Sequence, residues 1–175
     1  MKFIPFPELT SDRLRLRQTL KDDASQVLYL RSDPEVNQYI KRPTPHNLQD
    51  AQDFIAKITA SIENHEHLYW SITLKGSTKM IGSISLWNFS LDKKTAEVGY
   101  DLGTNFHNKG IMSEAMKCVL DYGFTVLNLD KIEAFTHGKN QSSVRMLVKN
   151  GFVLVNGKTD PGNENNIIFE LRKSV

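Results

Sequence analysis

The sequence predicts a mixed α/β domain, and three observations carry that prediction. Three strand-length runs, 68–74, 80–89 and 96–102, are parted only by 75–79, with the turn Lys75-Gly76-Ser77, and 90–95, with Asp92-Lys93-Lys94, connections short enough to demand antiparallel neighbours. A run of helical periodicity from Ser113 to about Val126 then separates the last of these from a further strand, KIEAFTHG at 131–138, and strand, helix, strand makes a right-handed parallel crossover. With 175 residues, 39% hydrophobic and 24% charged, the chain is long enough to bury a core without disulfides or metals. Residues 1–175 are expected to form one domain.

The elements follow in order. Leu14 and Leu16 alternate with Arg13, Arg15 and Arg17, the period of a half-buried strand with a basic, solvated outer face. Asp22-Asp23 supply caps for a helix carrying Ala24, Val27, Leu28 and Arg31, and Ser32-Asp33-Pro34-Glu35 is a second start signal ahead of Val36, Tyr39 and Ile40. A broken helical arm is expected there. Lys41 to His46 holds two prolines and reads as a loop; Asn47 and Asp50 then cap a helix to about Asn64 with Leu48, Ala51, Phe54, Ile55, Ile58 and Ile62 at helical spacing. His65 and His67 flank an acid, yet no further ligand cluster accompanies them, so a surface turn is favoured over a metal site. Past the crossover, 140–149 reads as a short helix, 152–155 as a strand, 156–165 as a polar loop and 167–171 as the closing strand.

The chemistry is concentrated in Tyr100 to Ala115, YDLGTNFHNKGIMSEA, where a strand runs through a Gly- and Asn-rich loop into a helix. The first amides of a helix lack intrahelical partners and sit at the positive end of its dipole, so such a junction cradles a phosphate. Gly110 suits it because no Cβ stands in the way, and Ser113, as N-cap or in the first turn, either adds its hydroxyl to the anion or caps the helix. A capped helix behind a surface loop is the competing reading of the same residues. Neither GxxxxGK[ST] nor GxGxxG is present, which sets aside the two commonest nucleotide loops.

Taken with other segments, this stretch resembles the GNAT superfamily of N-acetyltransferases, in particular the RimJ/RimL-like branch that acetylates the N-termini of ribosomal proteins and includes polyamine and antibiotic acetyltransferases. HNKGIMSEA matches that branch's WGKGxxTEA at Lys109, Gly110, Glu114 and Ala115, and departs at His107, Asn108 and Met112. TSDRLRLR, DDA, LRSDPEV, IGSISL and AEVGY stand where the branch has similar runs, from about Leu9 to Leu171. The resemblance implies a mixed sheet of six to seven strands, splayed between its fourth and fifth, with about four helices. It implies acetyl-CoA as co-substrate, with no metal, the pantetheine lying in the split and the pyrophosphate on the loop. The implied cofactor contacts are Leu102, His107, Asn108, Lys109, Gly110, Ile111, Met112, Ser113 and Asn140.

The implied reaction is attack of a primary amine on the thioester, which needs a base, an oxyanion donor and a proton for the departing sulfur. Glu97 of AEVGY is the base, with Asp101 on the same strand face in reserve; a solvent-facing Glu is the plain alternative. Leu147 of MLVKNGF stands where many members carry the proton-donating tyrosine; Asn140 and Ser143 match the NxxS that the branch often has before this segment, and the resemblance implies Ser143 as donor to the thiolate, unless Asn140, Ser142 or Ser143 merely caps the helix. His137 is a less conventional proton source. The acceptor is a peptide N-terminus, a polyamine or a small amine, bordered by 41–47 and 156–165, with Asp160 and Glu164 attracting cations. An acyl-CoA-binding sensor without turnover is the alternative from another class. Net charge +2 and no concentrated basic stripe argue against nucleic acid. A lone Cys118, no signal-peptide pattern and no membrane-length run argue for the cytoplasm, as monomer or homodimer.

Overall fold

The computed structural model describes residues 3–173. Eight strands form one sheet in the order β1-β2-β3-β4-β5-β6-β8-β7. They are β1 (Leu9–Thr10), β2 (Leu14–Gln18), β3 (Leu68–Leu74), β4 (Met80–Trp87), β5 (Thr95–Leu102), β6 (Lys131–His137), β7 (Val153–Leu154) and β8 (Asn166–Arg172). Only β5 and β6 run parallel; every other pair is antiparallel. This is the splayed GNAT fold expected, and the extra strand is the two-residue β1 at the edge. Counting it, the predicted fourth and fifth strands are β5 and β6.

Adjacent residues of a strand face opposite sides of the sheet, and that alternation sorts the four helices. On the face that includes Tyr69, α2 (Leu48–Glu63) sets Phe54 edge-on to the Tyr69 ring, with α1 (Ala24–Ser32) beside it. The face that includes Trp70 is covered by α3 (Ile111–Asp121), whose π-helical continuation Tyr122–Val126 brings Tyr122 against Trp70, and by α4 (Gln141–Lys149). Leu14, Leu16, Ile72, Ile84, Leu86, Met116, Val119 and Ile132 are buried between them. Gly123 is where the π-helical segment comes closest, since a Cβ there would stand 2.9 Å from Ile132 Cδ1.

Several sequence expectations change. The second start signal yields turns over 34–39 instead of a helix. Asp33 does cap, accepting from the amides of Glu35 and Val36, but the Asn37 side chain donates back to the carbonyls of Leu30 and Asp33 and folds the segment against α1. The arginine row is not a uniformly solvated face: Arg17 is buried, held bidentately by Asp23 at 2.7 and 2.8 Å. Asp23 therefore serves Arg17 and the Leu20 amide rather than capping α1 through its side chain. Asn47 caps α2 as expected, accepting from Asp50 N at 3.0 Å. In the HEH segment His65 takes the turn, with φ 60°, whereas His67 is half-buried against Tyr69 and Trp87. Burial lowers the His67 pKa to about 4, and among the described residues its Nε2 has no hydrogen-bond partner.

Candidate functional site

The fork between β5 and β6 is set by where pairing stops. Thr95, Ala96, Glu97 and Val98 pair with Lys131, Ile132, Glu133 and Ala134, and no further. Beyond that point β5 continues against β4 alone through Gly99–Leu102, while β6 follows β8 to His137. The direction of the bare edge follows from alternation. Lys94 O accepts from the amides of Asp130 and Lys131 at 2.8 and 3.2 Å, so even-numbered residues of β5 turn their peptide groups towards β6. Gly103 N donates to Ile81 O at 2.9 Å, so odd-numbered ones turn towards β4. Tyr100 and Leu102 thus aim their backbone groups into the gap, where an extended, amide-bearing chain can continue the sheet on Tyr100 and the Leu102 amide, Leu102 O being taken by His107 Nε2 at 2.8 Å.

The gap leads to the cradle. Through a 3-10 turn at Thr104–Phe106 the chain reaches Asn108 and Gly110, both left-handed at φ 58° and 73°. A Cβ on Gly110 would meet only Arg13 Nη2, at 3.6 Å, so glycine is needed there for its φ more than for space. Gly110 is the N-cap of α3 and Glu114 N closes the first turn on its carbonyl at 3.0 Å, leaving the amides of Ile111, Met112 and Ser113 without intrahelical acceptors.

Side chains close the cradle from behind. Glu114 accepts from Ser11 Oγ (2.6 Å), from Arg13 N (2.9 Å) and from the Arg13 guanidinium (2.6 Å); burial works against its ionisation, but these bonds hold its pKa below the usual range. Arg13 also donates to Lys109 O at 3.0 Å, and Lys109 Nζ to Asn105 O at 2.8 Å. Arg13, in the bend just before β2, therefore neutralises the one acid in the first turn of α3. Ser113 lies in that turn rather than at the cap, and its hydroxyl accepts from Asn150 Nδ2 at 3.0 Å. His107 turns back towards the sheet, its Nε2 2.8 Å from Leu102 O.

The two faces of β5 carry different chemistry. On the α1/α2 face, Glu97 stands opposite Trp87 and Glu133 and accepts from Asn88 Nδ2 at 2.7 Å. Burial raises its pKa, and Glu133 and Asp160 push the same way. Asp101 is buried and engaged by Arg42 at 2.6 Å and by Ser83 N and Oγ at 3.1 and 2.7 Å. The reserve base is thus the anchor of an ion pair. Arg42 comes from the 41–46 loop, which also sends Lys41 Nζ to Gly162 O at 3.2 Å, so the two loops expected to border the acceptor meet. Asp160 is turned inwards, accepting from Gly162 N and Asn166 Nδ2.

On the opposite face Ser143, buried in the first turn of α4, bonds Tyr100 Oη at 2.7 Å and Thr136 Oγ1 at 2.8 Å. Asn140 caps α4, its Oδ1 accepting from Ser143 N at 3.1 Å. The fork so brings Leu102, Ile111, Met112, Ser113, Lys109 and Gly110 to one edge, with Ser143 and Asn140 across it. Sequence reasoning missed Tyr100, Arg42 and Arg13. The tyrosine was sought on the α4 helix at Leu147, which is wholly buried, whereas the parity of a placed β5 points Tyr100 at α4.

Two surface hollows, about 570 Å³ beside Lys117, Leu120 and Lys149 and about 380 Å³ beside Tyr122 and Asn128, lie away from this seam. Neither is lined by any of the residues gathered at the fork. Among the described residues no group of His, Cys, Asp and Glu is arranged to hold a metal, and no helix is long and apolar enough to cross a membrane.

Comparison with known proteins agrees with this geometry. Residues 13–153 match the acetyltransferase (GNAT) domain model. An uncharacterized N-acetyltransferase, p20 of Bacillus licheniformis, is 36% identical over 140 residues, covering 79% of this chain and 78% of the relative. Among solved structures, RimL, a ribosomal L7/L12 alpha-N-protein acetyltransferase in complex with coenzyme A, superposes with a TM-score of 0.81 at 16% identity, covering 95% of this chain and 98% of RimL. The microcin C7 self-immunity acetyltransferase MccE in complex with acetyl-CoA and AMP gives 0.80 at 24% identity, covering 93% and 94%.

Proposed function

The chain belongs to the GNAT acetyltransferase family, and from that premise we propose that it moves the acetyl group of acetyl-CoA to a primary amine by direct attack. The observation that carries the reading is the half-open β5: outward backbone groups of Tyr100 and the Leu102 amide, in a row that ends at the bare amides of α3. The residues fit the co-substrate. Amides of Ile111, Met112 and Ser113, with Lys109 alongside and Gly110 in its left-handed conformation, receive the pyrophosphate; Leu102 and Asn140 hold the pantetheine arm; Asn108 shapes the turn. His107 contributes by fixing the loop to Leu102 O. We take residues 1–175 as one acetyltransferase domain of the RimJ/RimL-like branch, a reading supported by TSDRLRLR, AEVGY and HNKGIMSEA in order.

The faces of β5 divide the work. The amine enters on the α1/α2 face, where Glu97, its pKa raised by burial, takes the proton that nitrogen must lose. The C–N bond forms and the C–S bond breaks, with the electron pair passing to sulfur; backbone N–H at the open edge of β5 stabilises the oxyanion. Sulfur leaves towards Ser143 on the opposite face and takes up a proton, so that amine and thioester give amide and thiol. A panel of amines, from N-terminal peptides to polyamines and small amino compounds, is incubated with acetyl-CoA and thiol release is followed. Release above background with at least one amine is expected; tight acetyl-CoA binding with no release from any of them overturns the reading.

A further inference from the structure

Had the β5–β6 ladder continued, the next same-face pair after Val98 and Ala134 would be Tyr100 and Thr136. Instead the strands part, and the Ser143 hydroxyl of α4 sits between those two side chains, 2.7 Å from one and 2.8 Å from the other. Three elements that the fork separates therefore meet at one oxygen. Hydrogen counting narrows the bonds to two patterns. A serine hydroxyl has one proton to give and two lone pairs to receive with. Thr136 Oγ1 donates to Ser143, filling the first lone pair. Tyr100 Oη shares its hydrogen bond with Ser143 Oγ, and either oxygen could donate. If Ser143 donated to it, the half-exposed phenol would turn its own proton to the open side of the fork, and Ser143 would have none left to give there. With Tyr100 donating as well, Ser143 has both lone pairs used and its one proton turned to the fork.

We propose that Tyr100 is a positioning residue for acetyl transfer: with Thr136 it saturates the lone pairs of Ser143 and so directs that residue's single proton into the fork, as a hydrogen bond to the departing sulfur. The inference rests on the acetyl-transfer reading and deepens it. No proton leaves the tyrosine. Burial raises its pKa to about 12, so the phenol stays a donor wherever the enzyme works, and the two incoming bonds polarise the serine hydroxyl into a stronger donor. The position that Leu147 leaves apolar is thereby served from the strand side.

The test pairs kinetics with an equilibrium readout. Tyr100→Phe, which keeps the ring, is expected to lower kcat by about tenfold with KM for acetyl-CoA unchanged, since one hydrogen bond that matters only as charge grows on sulfur is lost. Ser143→Ala should lose at least as much. The double variant should lose no more than Ser143→Ala, because Tyr100 acts only through the serine. Thr136→Val should resemble Tyr100→Phe, and Thr136→Ser should restore the rate. Independently of turnover, CoA at high pH should bind several-fold more weakly to Tyr100→Phe while desulfo-CoA, which lacks the sulfur, binds as to the wild type. Equal weakening towards both ligands, or full kcat in Tyr100→Phe alongside an impaired Ser143→Ala, overturns the positioning role. Full kcat in Ser143→Ala overturns it together with the part given to Ser143, whereas wild-type protein that acetylates no amine overturns the reading beneath.

Discussion

The two halves of β5 are four residues each and differ in one neighbour. From Thr95 to Val98 the strand is flanked by β4 and β6; from Gly99 to Leu102 it has β4 alone, yet each half has two buried and two half-exposed residues, so the halves differ in backbone pairing and not in burial. β6 does not end at the split, since it pairs with β8 over all seven of its residues. What changes is its course, with the first turn of α4 entering where the ladder would have gone. A strand in mid-sheet can thus be paired on both sides for half its length and an edge for the other half. Unpaired edges invite other chains, and this one is short, internal and lined at its end by helix amides, so the invitation is to a small extended ligand.

If the open half lacks β6, something else must hold it, and Arg42 is the residue placed to do so. It pairs with Asp101, only 2% exposed, and fastens that residue to Leu30 O and the Asn37 side chain on the outer face. Arg42→Ala strands a buried carboxylate and is expected to cost about 3 kcal/mol, lowering Tm by roughly 10 °C. Calorimetric unfolding measures it. A variant with unchanged Tm would mean that the open half is held by β4 alone.

Glu97 sits one pair before the split, in the sealed half, yet is assigned chemistry in the open one. Glu97→Gln keeps the Asn88 contact and removes the base, so turnover should fall on the order of a hundredfold while acetyl-CoA affinity is retained. Wild-type turnover should rise with pH through an inflection above the ordinary carboxylate value, because burial favours the protonated form. The same shift acts on stability. Above the unfolded-state pKa the buried charge weighs on the native state, so Glu97→Gln should be slightly more stable than wild type at neutral pH. That advantage should fade as the pH falls below the folded and then the unfolded pKa. Undiminished turnover would place all the chemistry in the open half.

How much of this was legible in the sequence depended on range. Strands β3, β4 and β5, the α3 helix and the parallel crossover announce themselves through local period and short turns, and the sheet followed. The loop-to-helix cradle was legible because Gly110 and its flanking residues act through their own backbone. What escaped were side chains whose partners lie far along the chain: Arg17 as a buried ion-pair member, Arg13 reaching Glu114 across about a hundred positions, Arg42 on Asp101 and Tyr100 on Ser143. An arginine row reads as a solvated face until the fold supplies its carboxylates. The turns at 34–39 show the converse, a correct cap signal without enough following sequence to propagate a helix against the pull of Asn37.

The cradle offers the finest discrimination between shape and space. Gly110 has φ 73° with only Arg13 nearby, so a substituent there suffers from backbone conformation before it meets any atom. A β-branched residue pays about 1–2 kcal/mol to adopt the left-handed region, while asparagine visits it readily, as Asn108 does two positions earlier. Gly110→Val should therefore weaken acetyl-CoA binding by about tenfold through a distorted amide row, and Gly110→Asn by distinctly less, as isothermal calorimetry would read. Equal losses in both would make bulk the cause, and the anion would then have to approach Gly110 from the side on which Cβ projects. No loss in either would detach the diphosphate from the start of α3, and the open half of β5 would lead nowhere.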